Sequence, residues 1–384
     1  MIRKTAYLAA KIFDGVKEHL DSALIIENSK VLKIIPQKNV KSDIEIISLD
    51  HGVISPGFVD LQVNGGGGHL LNEAPSLQKL EKICETHANL GTTSLLPTLI
   101  SDVPDITEAA HNCAVEAFNE NMPGFIGLHL EGPHLAPSRS GAHERSVIRP
   151  MEENDCLALE DLAIKVPKVL TTVAPEAVTA TLVERLASAG IVVLLGHTDC
   201  SYSQAKELAS AGATGVTHLF NAMSQFGSRE PGLVGAALEL GSLSAGIIAD
   251  GFHVDVSTIK VALRAKKTPG SIFLVSDSMA TTGTNLKSFE LNGRKIFREN
   301  GRLTLENGTL AGADLDLATS VRFMVHEVGI PYIDALKMAT IFPSRFIGME
   351  KEIGVLLPGA RADFLWLDES LNVRRVWRSG EALI

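Results

Sequence analysis

Apolar and polar positions alternate with one period at the two ends of this chain and with another through its middle. Near the N-terminus, "SALIIENSKVLKIIP" (22–36) reads as two short β-rich runs around Asn28-Ser29, which suits a hairpin. The C-terminal stretch "ADFLWLDESLNVRRVWRSGEALI" (362–384) again alternates apolar and polar residues between turn signals. The two ends together predict one small β domain, a β-sandwich built from 1–52 with 346–384.

From Val53 to about Arg345 the pattern becomes buried apolar runs separated by helix-like segments. The candidate strands are "ISPGFVDLQV", "TTSLLPTL", "GFIGLHLEG", "VLTTVAPE", "IVVLLGHT", "TGVTHLFN", "SAGIIADG" and "IFLVSDSM". Between them lie amphipathic stretches such as "SLQKLEKICETHANLG" and "SYSQAKELASAG", the latter with Ser201 as N-cap and Gly212 as its stop. Strands in strict alternation with helices predict a (β/α)8 TIM barrel over 53–345 rather than an open doubly wound sheet. "NGGGG" (64–68) has the glycines of a phosphate loop but no following helix start, and is read as a mobile loop. A β insertion is expected at about 284–312, because Asn292-Gly293, Asn300-Gly301 and Asn307-Gly308 punctuate β-prone runs there.

Composition narrows the possible functions. The chain has 384 residues, 45% hydrophobic and 21% charged, as in a globular protein with a large core. A formal charge of -10 argues against unaided nucleic-acid binding, since no basic excess exists to neutralise phosphates. The longest apolar runs, "IVVLL" and "AGIIA", fall far short of the roughly 20 residues of a membrane span. Lys11 and Asp14 interrupt the first apolar stretch too early for a signal peptide, so a cytoplasmic location is expected. Cys84, Cys113, Cys156 and Cys200 form no CxxC pair and are read as reduced thiols.

Barrel enzymes carry their chemistry at the C-terminal ends of the strands. Those positions are Gln62 and Asn64, Thr98, Glu131, Glu176, His197, His218, Asp250 with His253, and Asp277. Glu131, His197 and His218, one carboxylate and two imidazoles, form a ligand set for Zn2+ or Fe2+ with a position left for water. Asp277 closes a wholly apolar run; alone it would be a loop cap, but beside a metal-activated water it is placed as general base and acid. His129 shares the inward face of Glu131 and reads as a hydrogen-bonded core or supporting residue, and His134 as a loop residue. His19, His51, His69, His87, His111 and His326 are assigned to the surface.

The motifs "PGFVDLQVNGGGG", "GLHLEGPHL", "GAH", "GHT", "THLFNAM", "REPGLVGAAL", "IIADGFHV", "LVSDSMATTG" and "GTLAGA", in this order, resemble the N-acetylglucosamine-6-phosphate deacetylases of the amidohydrolase superfamily. The resemblance runs through "IGVLLPGARADFLWLD", which looks like that superfamily's return to its small β domain. It implies hydrolysis of the acetyl amide of a phosphorylated amino sugar, with Glu131, His197 and His218 as metal ligands and Asp277 as proton carrier. It further implies that His143 contacts the acetyl carbonyl, that Ala142 is a substrate-binding position, and that Asn221, Ala222, Arg229 and His253 hold the sugar phosphate. Leu310, Ala311 and Gly312 resemble the segment that closes over the sugar. A homodimer is implied too, with Arg229 reaching the neighbouring subunit's site.

The chain departs from the broader superfamily where an HxH pair is replaced by Gln62-Val63-Asn64, and where strand four ends in Thr171, Thr172 and Glu176 without a bridging Lys. Amides are poor Zn2+ ligands, so one divalent ion per subunit is expected, with Gln62 and Asn64 as vestigial or supporting positions. The galactosamine epimer as substrate, or a catalytically inactive scaffold, remain the alternatives at this point.

Overall fold

The computed structural model describes residues 4–384. Eight strands, Phe58–Val63, Thr92–Ile100, Leu128–Glu131, Val169–Val173, Val192–Leu195, Gly215–Val216, Ser244–Ile247 and Ile272–Leu274, pair in chain order in one sheet. The strand pairs from Thr92–Ile100 to Ile272–Leu274 are parallel. All eight expected strands are present. The sheet closes on itself just beyond its strand ends: the Asp277 N–H donates to the Gln62 carbonyl at 3.0 Å, and the Asn64 N–H to the Ser278 carbonyl at 3.0 Å. Nearly every strand residue is buried, which is why these segments read as continuous apolar runs and not as alternating ones.

Helices follow the strands at Leu77–Asn89, Pro104–Asn119, Glu153–Lys165, Ala180–Ser188, Tyr202–Ser210, Gly232–Glu239, Val256–Ala265 and Leu317–Phe323. Ser201 caps its helix as expected, in a reciprocal box with Gln204. Gly212 then turns at φ +118°, where a Cβ would lie 2.6 Å from Ala187.

The insertion is a four-stranded antiparallel sheet of Ser288–Leu291, Arg294–Glu299, Arg302–Thr304 and Leu310–Ala313. Asn292 and Gly293 (φ +50° and +70°) and Asn300 and Gly301 (φ +51° and +77°) give the left-handed pairs that two-residue hairpins require. Leu291, Ile296, Leu303 and Ala311 bury against Ile100 at a barrel strand's end and Leu70, Met279 and Ala280 beyond the barrel strands.

One loop differs from expectation. "NGGGG" is an ordered hairpin of Gly65–Gly66 paired with His69–Leu70. The Gly67 and Gly68 N–H groups donate to the Thr282 and Ala280 carbonyls at 2.9 Å, so the segment is fixed by partners more than two hundred residues away.

The terminal segments form a seven-stranded sheet in the order Glu381–Ala382, Val373–Arg378, Phe364–Leu367, Glu45–Pro56, Lys4–Phe13, Glu18–Glu27, Lys30–Pro36. Only Lys4–Phe13 with Glu45–Pro56 is parallel. Asn28, at φ +55°, makes the expected hairpin turn. Tyr7, Leu24, Ile54, Phe364 and Trp377 fill one cluster, and Ala6, Ala23 and Ile25 another. The chain divides into two compact units: the described residues to Asp60 with His87–Ser94 and Asp316–Ile384, and Leu61–Thr86 with Leu95–Leu315. Helices beyond Leu315 therefore group with the terminal sheet, where Ile341 and Phe342 pack with Val355 and Ala360.

Candidate active site

The strand ends bring Glu131, His197, His218 and Asp277 to one buried place, each 9% exposed or less. His197, His218 and Asp277 hold positive φ values of 48°, 27° and 48°, a conformation that costs non-glycine residues of order 1–3 kcal/mol each. Local preference would not choose it; the closed barrel imposes it where the chain must turn inward.

Glu131 Oε1 lies 3.0 Å from His197 Nε2 and 3.0 Å from His218 Nε2, and the two nitrogens are 3.1 Å apart. His197 Nδ1–H donates to the Arg139 carbonyl at 2.7 Å, which leaves a lone pair on Nε2 when the ring is neutral. A carboxylate oxygen and imidazole lone pairs thus converge within a triangle 3 Å on a side, the donor set a divalent cation requires. His143 is close enough to Glu131 and His197 to complete a similar group. The triangle with His218 is the tighter, and His143 has another partner, so Glu131, His197 and His218 fit a cation best. Burial pushes the Glu131 carboxyl up, but whenever the imidazoles carry a proton on Nε2 their hydrogen bonds and charge reverse this and hold it well below the usual range. Burial likewise pushes His218 down, and its bond to Glu131 more than compensates, raising it.

Asp277 is the opposite case. Burial, then the Glu131 charge, raise its carboxyl to about 6, against the pull of His218, His253 and the Asn64 amide. Asn64 Nδ2 donates to Asp277 Oδ1 at 2.7 Å, while Gln62 Nε2 reaches both Asp277 Oδ1 (3.3 Å) and Glu131 Oε2 (3.2 Å). The two amides hold the neighbouring carboxylates in register.

His143 is fixed from the barrel side: the Ser101 N–H donates to its Nδ1 at 3.2 Å, and the Ser101 hydroxyl lies 2.8 Å from the same atom. Burial and the adjacent His197 drive its pKa to about 3, so the ring is neutral with its proton on Nε2. Its ring meets that of His197 edge-on at 4.5 Å. His253 Nδ1 donates to Asp250 Oδ2 at 2.6 Å, and Asp250 Oδ1 accepts the Phe252 and His253 N–H groups.

A cavity of about 380 Å3 takes in Asn64, Glu131, Ala142, His143, His197, His218, Asn221, Ala222, His253, Asp277, Leu310 and Gly312. Gln62 stands behind this wall, and Ala311 is wholly buried in the apolar cluster under the insertion. Arg229 is exposed and outside the wall; Glu230 is engaged by the Tyr202 and Gly232 N–H groups.

The remaining strand-end groups brace the structure. The Thr98 hydroxyl accepts the Val63 N–H, and Glu176 accepts from the Thr198 hydroxyl and Asp199 N–H. His129 is buried between the Leu61 carbonyl and the Thr172 hydroxyl, with its pKa pushed down to about 4 by burial, a neutral core residue as expected. His134 lies in a loop but is buried against the Arg149 carbonyl. One surface assignment is corrected, since His87 is fully buried; His111 is half-buried, and burial drives its pKa down to about 4. Ser101 and Arg139 were missed by sequence reasoning. Neither stands at a strand end as a titratable group, and Arg139 contributes through its carbonyl, for which no side-chain signal exists.

A parallel barrel that gathers a carboxylate–imidazole triangle able to fit a cation at its strand ends, next to a carboxyl raised towards neutrality, has the architecture of metal-assisted hydrolases. A model of the amidohydrolase family matches residues 53–383, and the chain belongs to that family. Its relatives include an N-acetylgalactosamine-6-phosphate deacetylase of Shewanella sp., 39% identical over 87% of this chain and 84% of the relative. An N-acetylglucosamine-6-phosphate deacetylase of Haemophilus influenzae is 34% identical over 89% and 90%. The crystal structure of an N-acetylglucosamine-6-phosphate deacetylase from Pasteurella multocida superimposes with a TM-score of 0.95 at 32% identity, covering 99% of each chain.

Proposed function

We propose that this chain hydrolyses the acetyl amide of N-acetyl-D-glucosamine 6-phosphate to acetate and D-glucosamine 6-phosphate. The observation that carries the reading is the meeting, in one cavity, of the Glu131–His197–His218 triangle, the neutral His143 N–H and the raised carboxyl of Asp277, in a chain similar throughout to deacetylases of this substrate class.

Glu131, His197 and His218 would hold one divalent ion, Zn2+ or alternatively Fe2+, which when bound supplies an acidified water and a positive charge for the carbonyl oxygen. Gln62 and Asn64 point their NH2 groups at the two carboxylates, an arrangement that supports a single ion and not a pair. Asp277 takes the proton as the C–O bond forms and returns it to the sugar nitrogen as the C–N bond breaks. His143 donates its Nε2–H to the carbonyl oxygen as charge develops there, a contribution of roughly 3 kcal/mol in comparable sites. Asn221, Ala222 and His253, the last aligned by Asp250, face the sugar phosphate, and Leu310 and Gly312 cover the sugar. Arg229 supplies a guanidinium fork for the phosphate. Its exposure outside its own cavity supports action on the cavity of a second copy in a homodimer. Among the described residues no helix is long and apolar enough to cross a membrane, and the four thiols are free and buried, which supports a cytoplasmic location.

The galactosamine epimer is the second reading, favoured by the name of the Shewanella relative. Acetate release from both 6-phosphates by zinc-loaded protein decides: a clear preference in kcat/KM for the gluco epimer supports the first reading, a galacto preference the second, and turnover of neither sinks both.

A further inference from the structure

We propose that Arg294, in the β insertion, is a positioning residue for His143: its guanidinium clamps the Ala142 carbonyl and so sets where the His143 Nε2–H points. The inference rests on the assignment of His143 as carbonyl donor. Arg294 Nη2 donates to the Ala142 carbonyl, one residue before His143, across 152 positions of sequence. Its Nε is buried without a hydrogen-bond partner, and among the described residues it forms no ion pair. A half-buried guanidinium normally pairs with a carboxylate at hydrogen-bond distance; here the Glu144 carboxylate is near enough to feel its charge, but the hydrogen bond goes to a main-chain carbonyl. What that bond contributes is geometry.

Arg294 follows the Asn292-Gly293 turn and pairs with Leu291, itself buried and part of the cavity wall. The Ala142 methyl packs on the same apolar cluster as Leu291, Ile296 and Leu303. The loop it belongs to turns at Gly141 (φ +56°), and the His143 N–H closes a short turn on the Ser140 carbonyl at 2.9 Å. His143 is therefore held from two directions, its ring by Ser101 of the barrel and its backbone by Arg294 of the insertion. The same small sheet attaches beside two other groups of the cavity. The Ala313 N–H donates to the Asp277 carbonyl at 2.8 Å, and the Arg302 guanidinium lies 4.5 Å over the Phe252 ring, next to His253. Placing the carbonyl donor to within a fraction of an ångström is worth orders of magnitude in rate, and the Arg294 bond fixes the peptide group from which the His143 ring projects.

The test is a double-mutant cycle on the metal-loaded enzyme. Arg294→Met should lower kcat about 10-fold to 100-fold with KM changed by less than about 2-fold and metal content unchanged, and Arg294→Lys should recover most of kcat. In a His143→Gln background, Arg294→Met should change kcat by less than about 2-fold, because no donor remains to be positioned. Losses that multiply in full in the double variant would overturn the positioning role. A KM rise confined to the phosphorylated substrate would instead make Arg294 a phosphate ligand and likewise overturn it. If His143→Gln by itself leaves kcat intact, the carbonyl-donor assignment fails first, and the proposal with it.

Discussion

Replacing Asp277 by Asn should make the metal-free protein more stable and the metal-loaded protein nearly inactive, two effects with a single origin. The Asp277 carboxyl rises from 3.8 to about 6 because it is buried and faces the Glu131 charge. A group whose folded pKa lies above its unfolded value binds its proton more tightly in the native state, so above about pH 6 its charged form opposes folding. The displacement corresponds to roughly 3 kcal/mol at neutral pH. Asn removes the charge but keeps an oxygen to accept the Asn64 amide. The advantage of the variant over the parent should be largest above about pH 6 and should shrink to about 0.5 kcal/mol as pH falls to about 4, where the folded carboxyl is protonated and the unfolded one, with its ordinary pKa of 3.8, is about half protonated. With metal restored, kcat should drop about 100-fold to 10,000-fold, since an amide cannot carry the proton, while substrate Kd changes little. Chemical unfolding of chelated protein from pH 4 to 8, with kcat, Kd and metal content on the same preparations, makes the measurement. A variant no more stable than the parent at pH 7 would refute the buried repulsion, near-normal kcat would refute the proton role, and loss of metal would show Asp277 to be a ligand.

The other expectations concern the cation and the phosphate. His197→Ala or His218→Ala should remove most bound metal, because a three-ligand site rarely survives the loss of one imidazole; metal content equal to the parent would strike that residue from the ligand set. Metal analysis should find about one ion per chain, since Gln62 and Asn64 present NH2 donors and not lone pairs to the carboxylates; two tightly held ions at full activity, one of them at these amides, would contradict this. Arg229→Ala should raise KM for the 6-phosphate far more than for the unphosphorylated sugar, and equal weakening of both would exclude Arg229 as the phosphate anchor.

What the sequence alone determined is local in origin. Each barrel strand announces itself as an apolar run, because a strand buried on both faces needs no polar alternation. The hairpins at Asn28 and at the insertion's Asn-Gly pairs follow from residues that tolerate left-handed φ. Glu131, His197, His218 and Asp277 were legible as a set because a barrel aligns the ends of its strands, so a position relative to an apolar run becomes a position in space. The tertiary structure decided everything that depends on which distant segments meet. Only there does "NGGGG" become ordered, through carbonyls at Ala280 and Thr282, and only there does His87 turn out to be buried. The same holds for the tautomers and charges of the site: Ser101 sets the proton of His143, the Arg139 carbonyl that of His197, and Glu131 raises Asp277. Hydrogen bonds and electrostatic shifts act over a few ångströms with no regard to sequence separation. Periodicity can locate such groups on their elements, but which of them face one another is settled only when the barrel closes.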